Sequence, residues 1–138
     1  MANPRELHRH LVGPKIAAPV VVVGPFKFTE TSDADATVQL FLTTRKMRFV
    51  GGSYTQSVDA TAATTYTATI EVGSTALSQA LDIKGPGEDE ALFFLPSATS
   101  TDRDIAKGAY VEVLFNETGG TATSPEDVEI VLEFQLME

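Results

Sequence analysis

The sequence predicts an all-β fold, an antiparallel β-sandwich or jelly roll of about eight strands behind an extended N-terminal arm. Three observations predict it. The closing stretch Asp127–Met137, DVEIVLEFQLM, puts Val128, Ile130, Leu132, Phe134 and Leu136 on one face. Glu129, Val131, Glu133, Gln135 and Met137 fall on the other. Alternation sustained this long is the two-residue period of a half-buried strand and conflicts with helical spacing. Thr65–Val72 repeats the pattern, with Tyr66, Ala68, Ile70 and Val72 facing one way, and Gly73-Ser74 then fits a tight hairpin turn. Elsewhere turn signals recur at hairpin spacing with no long helical period, the habit of sandwiches and jelly rolls.

In chain order, residues 1–18, MANPRELHRHLVGPKIAA, hold neither period and contain Pro4, Gly13 and Pro14. Two readings stay open there: a frayed terminus, as most chain ends are, or a basic, modestly apolar arm that orders only against a neighbouring chain. From Pro19 onward the pattern is β, with no internal repeat and no further boundary. Residues 1–18 therefore read as an arm and 19–138 as one sandwich domain. Val20–Thr29 is a β-branched run interrupted by Gly24-Pro25, a pair that marks an edge, a bulge or a bend. Ala36–Thr44 should face Val38, Leu40 and Leu42 one way, leaving Phe41 as the apolar exception on the other. Arg45–Val50 alternates through Met47 and Phe49 until Gly51-Gly52, which is expected to break it.

Tyr54–Thr64, rich in Ser, Thr and Ala, suits an edge strand and loop. Thr75–Ile83 fits either a returning strand or a short helix capped by Ser74, and the preceding turn favours the strand. Gly85–Glu90 reads as an acidic loop, and Ala91–Leu95 as a short buried strand ended by Pro96. Ser97–Gly108 is a polar connection with room for one helical turn. Ala109–Asn116 alternates again with Val111, Val113 and Phe115 inward, and Thr118–Pro125 turns into the last strand.

Size and charge bound the function. A chain of 138 residues can bury a real core without staples. It holds no cysteine, so a disulfide framework, a thiolate metal site and a Cys nucleophile are all excluded. The apolar run Ile16–Val23 contains Pro19 and falls far below the ~20 residues that span a bilayer. Pro14 and Lys15 also spoil it as a signal peptide, so the expectation is a soluble protein with no membrane partner. The formal charge is −9, unevenly placed. Residues 1–18 hold three bases against one acid, while the remaining 120 hold seven bases against 18 acids. An acidic body repels phosphate backbones, which argues against nucleic acid.

Chemistry has little to stand on. His8 and His10 are the only histidines and both sit in the arm, without a third ligand for a metal or a rigid setting for a Ser-His-Asp triad. Asp33-x-Asp35, Glu88-Asp89-Glu90 and Asp102-x-Asp104 are loop carboxylates that could join a calcium site, but none has the spacing of a calcium loop. Arg45, Lys46 and Arg48 form the one basic cluster of the body, either solvating a strand end beside acidic neighbours or meeting an acidic partner surface. The expectation is a protein that is not an enzyme and needs no cofactor and no metal.

The strands also carry a resemblance. TYTATIEV (65–72) with its GS turn and TALSQALDI, IAKGAYVEVLF (105–115) and the closing DVEIVLEFQLM resemble small β-sandwich proteins of tailed-bacteriophage virions, in particular capsid decoration (cement) proteins. The likeness spans about two-thirds of the chain in style, without one diagnostic motif. It implies a non-enzymatic virion protein on the outer capsid surface, often trimeric, that binds the major capsid protein and reinforces the head. It further implies that the arm anchors to the capsid. Arg5, Arg9 and Lys15 would then meet acidic surface, Leu7, Leu11 and Val12 would fill grooves, and His8 and His10 would lie among them. Val131 and Met137, apolar on the otherwise polar face of the last strand, are the expected subunit-interface residues. The rival expectation is a glycan- or host-surface-binding module of a fibre or baseplate.

Overall fold

The computed structural model describes residues 19–29, 36–62, 64–85, 90–120 and 122–137; the arm expected over residues 1–18 lies outside them. The strands are β1 (Val20–Phe28), β2 (Ala36–Leu42), β3 (Met47–Thr55), β4 (Thr61–Ala62), β5 (Thr65–Val72) and β6 (Thr75–Ala76). They continue as β7 (Leu81–Asp82), β8 (Leu92–Phe94), β9 (Asp104–Ile105), β10 (Tyr110–Thr118), β11 (Ala122–Thr123) and β12 (Val128–Leu136). A 3₁₀ turn at Ser100–Arg103 is the helical turn expected in the polar connection.

Two sheets face each other. Sheet A has the order β1-β12-β3-β8 with β9 also beside β3, and sheet B has β2-β10-β5-β6 with β7 also beside β5. All of these strand pairs are antiparallel. With β6 and β7 as one interrupted strand, and the short β4, β9 and β11 set aside, eight strands remain. In chain order they read first-eighth-third-sixth in one sheet and second-seventh-fourth-fifth in the other. That interleaving is the double Greek key of a jelly roll. The fold is therefore the all-β antiparallel sandwich that the alternation predicted.

The core lies between the sheets. Val128, Ile130, Leu132 and Phe134 of β12 are fully buried and look across at Val111, Val113 and Phe115 of β10 and at Tyr66, Ala68 and Ile70 of β5. Phe134 meets Phe41 and Phe49 edge-on, with centroids 5.5 and 5.7 Å apart, a geometry that suits the ring quadrupoles. The Gly73-Ser74 hairpin joins Val72 to Thr75 as expected, and the returning segment is a strand broken between β6 and β7, not a helix.

Three bulges account for most departures from the expected pattern. In β1 the register shifts between Val23 and Phe26, around a cis Gly24-Pro25 bond, so the inward set changes from Val21 and Val23 to Phe26 and Phe28. In β2 the register against β10 shifts at Leu40, which turns Phe41 into the core and leaves Leu42 46% exposed. The expectation for Phe41 and Leu42 is thus reversed, because a bulge adds one residue and flips side-chain parity beyond it. In β3 the shift falls between Phe49 and Gly51, and the strand runs on to Thr55 where Gly51-Gly52 was expected to end it. A Cβ at Gly52 would stand 2.5 Å from the Val131 carbonyl oxygen, so the close approach of β12 requires glycine there.

Two further expectations change. Tyr54 is no edge residue but a buried core ring, its hydroxyl donating to Gln56 Oε1 at 2.8 Å while Gln56 Nε2 donates to the Ile83 carbonyl at 3.0 Å. Ala91–Leu95 is no buried strand: β8 is the outer strand of sheet A, with Phe94 inward and its neighbours Phe93 and Leu95 turned to solvent.

Candidate functional surfaces

The arm residues Arg5, Leu7, His8, Arg9, His10, Leu11, Val12 and Lys15 lie outside the described residues. Val131 and Met137 are both partly buried, but they do not share one patch. Val131 pairs with Ser53 in mid-sheet, whereas Met137 lies just past β12 with its N–H donating to the Lys46 carbonyl. Six residues of extended chain, ~20 Å, separate them.

The outer face of sheet A carries exposed apolar side chains. Val22 on β1 is 62% exposed, Phe93 on β8 is 64% exposed and Leu95 beyond it 58%. Between them Gly52 and Ser53 leave a trough of about 240 Å³, walled by Val131, Glu133 and Phe93. The small residues follow from the bulge, since Gly52 cannot carry a side chain and Ser53 sits directly between Val131 and Phe93 in the register. The sequence did contain a signal for this face. Consecutive Phe93 and Phe94 in a strand cannot both point inward.

A second surface caps the end of the sandwich where β2 finishes and β10 begins. Thr43, fully buried, ties the two turns together. Its hydroxyl donates to the Ala106 carbonyl at 2.8 Å and accepts the Ala109 N–H at 2.9 Å, and its carbonyl accepts the Gly108 N–H at 2.8 Å. Gly108, at φ 82°, makes the tight return that places Lys107 beside Arg45 and Lys46. These three exposed cations and Thr44 line an open cleft of about 340 Å³. Arg48 is committed elsewhere, its Nε 2.7 Å from Asp104 Oδ1, and that bond holds the Asp104 carboxyl below the ordinary carboxylate range. Arg48 thus follows the expectation of pairing with an acidic neighbour, while Arg45 and Lys46 stand exposed at the strand end.

The outer face of sheet B is polar along β5, with Thr65, Thr67, Thr69 and Glu71, while on β10 Glu112 and Asn116 alternate with Leu114, and Tyr110 stands exposed beside Leu42 of β2. Glu71 and Glu112 are direct cross-strand partners. Partial burial, then the Glu112 charge, pushes the Glu71 carboxyl above the ordinary range. Among the described residues no group of three or more His, Asp or Glu is placed to hold a metal ion. Of the loop acids, Asp33, Asp35, Glu88 and Asp89 lie outside the described residues. No helix among the described residues is long and apolar enough to cross a membrane.

No family model matches the chain, and no curated protein matches it. Among solved structures, a chain in the structure of the infectious bursal disease virus Gx strain aligns with 89% of this chain at 15% identity and a TM-score of 0.46. The alignment covers 35% of that chain, so the present chain spans about a third of its length.

Proposed function

We propose that this protein is a virion structural component that binds the outside of a phage capsid and stabilises it, as a trimer whose N-terminal arm anchors to the major capsid protein. The observation that carries the reading is the outer face of sheet A. Val22, Phe93 and Leu95 lie exposed around the Gly52-Ser53 trough, and exposed apolar surface of this kind marks a contact site for protein. The resemblance of the strands to capsid decoration proteins supplies the setting. In that setting the sheet face rests on the shell, and the basic arm, through Arg5, Arg9 and Lys15, meets acidic capsid surface. A ligand that binds the assembled shell and not its free subunits stabilises the shell by mass action, about 2.7 kcal/mol per site at a hundredfold excess over Kd. Three linked arms raise avidity further, by roughly 10²–10⁴-fold where the spacing permits.

The test is deletion of residues 1–18, followed by titration onto purified heads. The shortened protein should keep its β-sheet circular dichroism and its oligomeric mass while failing to bind. Saturation of heads with unchanged affinity would overturn the arm's role. Reproducible hits on a glycan array, with no binding of the full chain to heads, would overturn the capsid reading and favour the fibre or baseplate module.

A further inference from the structure

The sandwich is electrically polar along its strands. Five of the seven bases of the body, Arg45, Lys46, Arg48, Arg103 and Lys107, gather toward the end where β3 starts and β10 begins, with Asp102 and Asp104 beside them and the pair Glu71 and Glu112 near the same end on the outer face of sheet B. At the opposite end, where β3 and β10 finish and β12 starts, stand Asp59, Asp82, Glu117, Glu126, Asp127 and Glu129, against Lys27 and Lys84. Glu133, opposite Gly51, occupies the face of sheet A between the two ends. We propose that the basic end docks the acidic end of a second copy of this chain, head to tail.

Three features fit a second copy as the occupant. The ends are complementary in sign and lie on one molecule. A nine-residue strand separates them by ~30 Å, several Debye lengths at physiological salt, so they cannot neutralise each other within the chain. The basic end also offers apolar anchorage, because Tyr110 and Leu42 are cross-strand partners and are 49% and 46% exposed. Tyrosine and arginine are both enriched at interface centres. A contact between unlike surfaces is heterologous, so it closes into a ring or grows into a chain, and the trimer proposed above is one such ring.

This contact deepens the trimeric reading and leaves capsid binding aside, so purified full-length protein suffices to test it. Light scattering at about 0.05 M and about 0.5 M salt brackets the screening length. Wild type should exceed the monomer mass at low salt and lose mass at high salt. The triple variant Arg45→Glu, Lys46→Glu, Lys107→Glu and the double variant Glu126→Lys, Glu129→Lys should each be monomeric at low salt with unchanged circular dichroism. Mixed together, they should associate, because each then meets an end of opposite sign. Failure of the mixture to associate, or wild type that is monomeric at low salt, overturns the contact. A trimer that forms equally in wild type and triple variant at both salts also overturns it, yet leaves the trimeric reading standing. Failure of the full chain to bind heads, with salt-dependent association intact, overturns the capsid reading and leaves this contact standing.

Discussion

At Glu71 two carboxylates face each other across β5 and β10, and like charges set directly opposite in a sheet work against it by about 0.2–1 kcal/mol. The raised pKa of Glu71 is the same fact seen from the proton's side. Its folded-state value lies above its unfolded one, so the folded protein holds that proton more tightly. The stability this brings is fully present in acid and is lost as pH rises through the folded pKa. Glu71→Gln removes the charge while keeping the shape. It should therefore stabilise the fold by about 0.5 kcal/mol at neutral pH, a rise of about 1–2 °C in Tm. Well below the ordinary carboxylate range it should gain nothing. Paired thermal melts at the two pH values check this, and an equal gain at both would assign the effect to packing instead of charge. The sequence shows that Glu71 and Glu112 each face outward, but not that they are partners, since register between distant strands is not written in either strand.

At the level of elements, alternation was readable wherever a strand is free of bulges. Tyr66 to Ile70 in β5, Val111 to Phe115 in β10 and Val128 to Phe134 in β12 bury the residues that parity assigns inward. Parity failed in β2 because one inserted residue inverts every assignment beyond it, and a bulge depends on the partner strand as much as on its own sequence. In β3 Met47 and Phe49 are buried as alternation assigned, and only the expected break at Gly51-Gly52 was overturned. Gly24-Pro25 announced its bulge; Leu40 gave no such notice. The inversion in β2 has a measurable consequence. Phe41 packs face to face with Phe26 at 5.8 Å and edge-on to Phe134, whereas Leu42 turns to solvent. Phe41→Ala should cost about 2 kcal/mol or more, toward the lower side of buried Phe truncations because the ring is only partly buried. Leu42→Ala should stay within about 0.5 kcal/mol of wild type. Urea titrations of the two variants decide it, and a larger loss at Leu42 would place the bulge elsewhere. The same logic explains Phe93 and Leu95. Their apolar character suggested burial, and only the position of β8 at the sheet edge, invisible in a five-residue run, turns them out to form the apolar face.

For the molecule as a whole, the strand that made the fold legible is also the one that holds sheet A together. β12 lies between β1 and β3, pairing Val20 with Gln135 on one side and Tyr54 with Ile130 on the other, so the first and last parts of the chain must meet before the sheet exists. No local pattern announces such pairings, which is why the sandwich could be read from the sequence while the order of its strands could not. The arrangement has a thermodynamic consequence. Val128, Ile130, Leu132 and Phe134 are all fully buried, and each contributes about 1.5–3 kcal/mol by burial alone. Together they rival the whole net stability of about 5–15 kcal/mol expected of a domain. Removing residues 127–138 would also strip β1 of the partner that joins it to sheet A and unpair the inner edge of β3. The shortened chain should therefore show no cooperative thermal transition and bind a hydrophobic dye. The full chain should refold in milliseconds to seconds, because closing its first strand against its last demands a long loop before any contact rewards it. Melting curves and stopped-flow refolding test both expectations. A cooperative melt from the shortened chain would mean that sheet B and β3 form a stable core without the last strand.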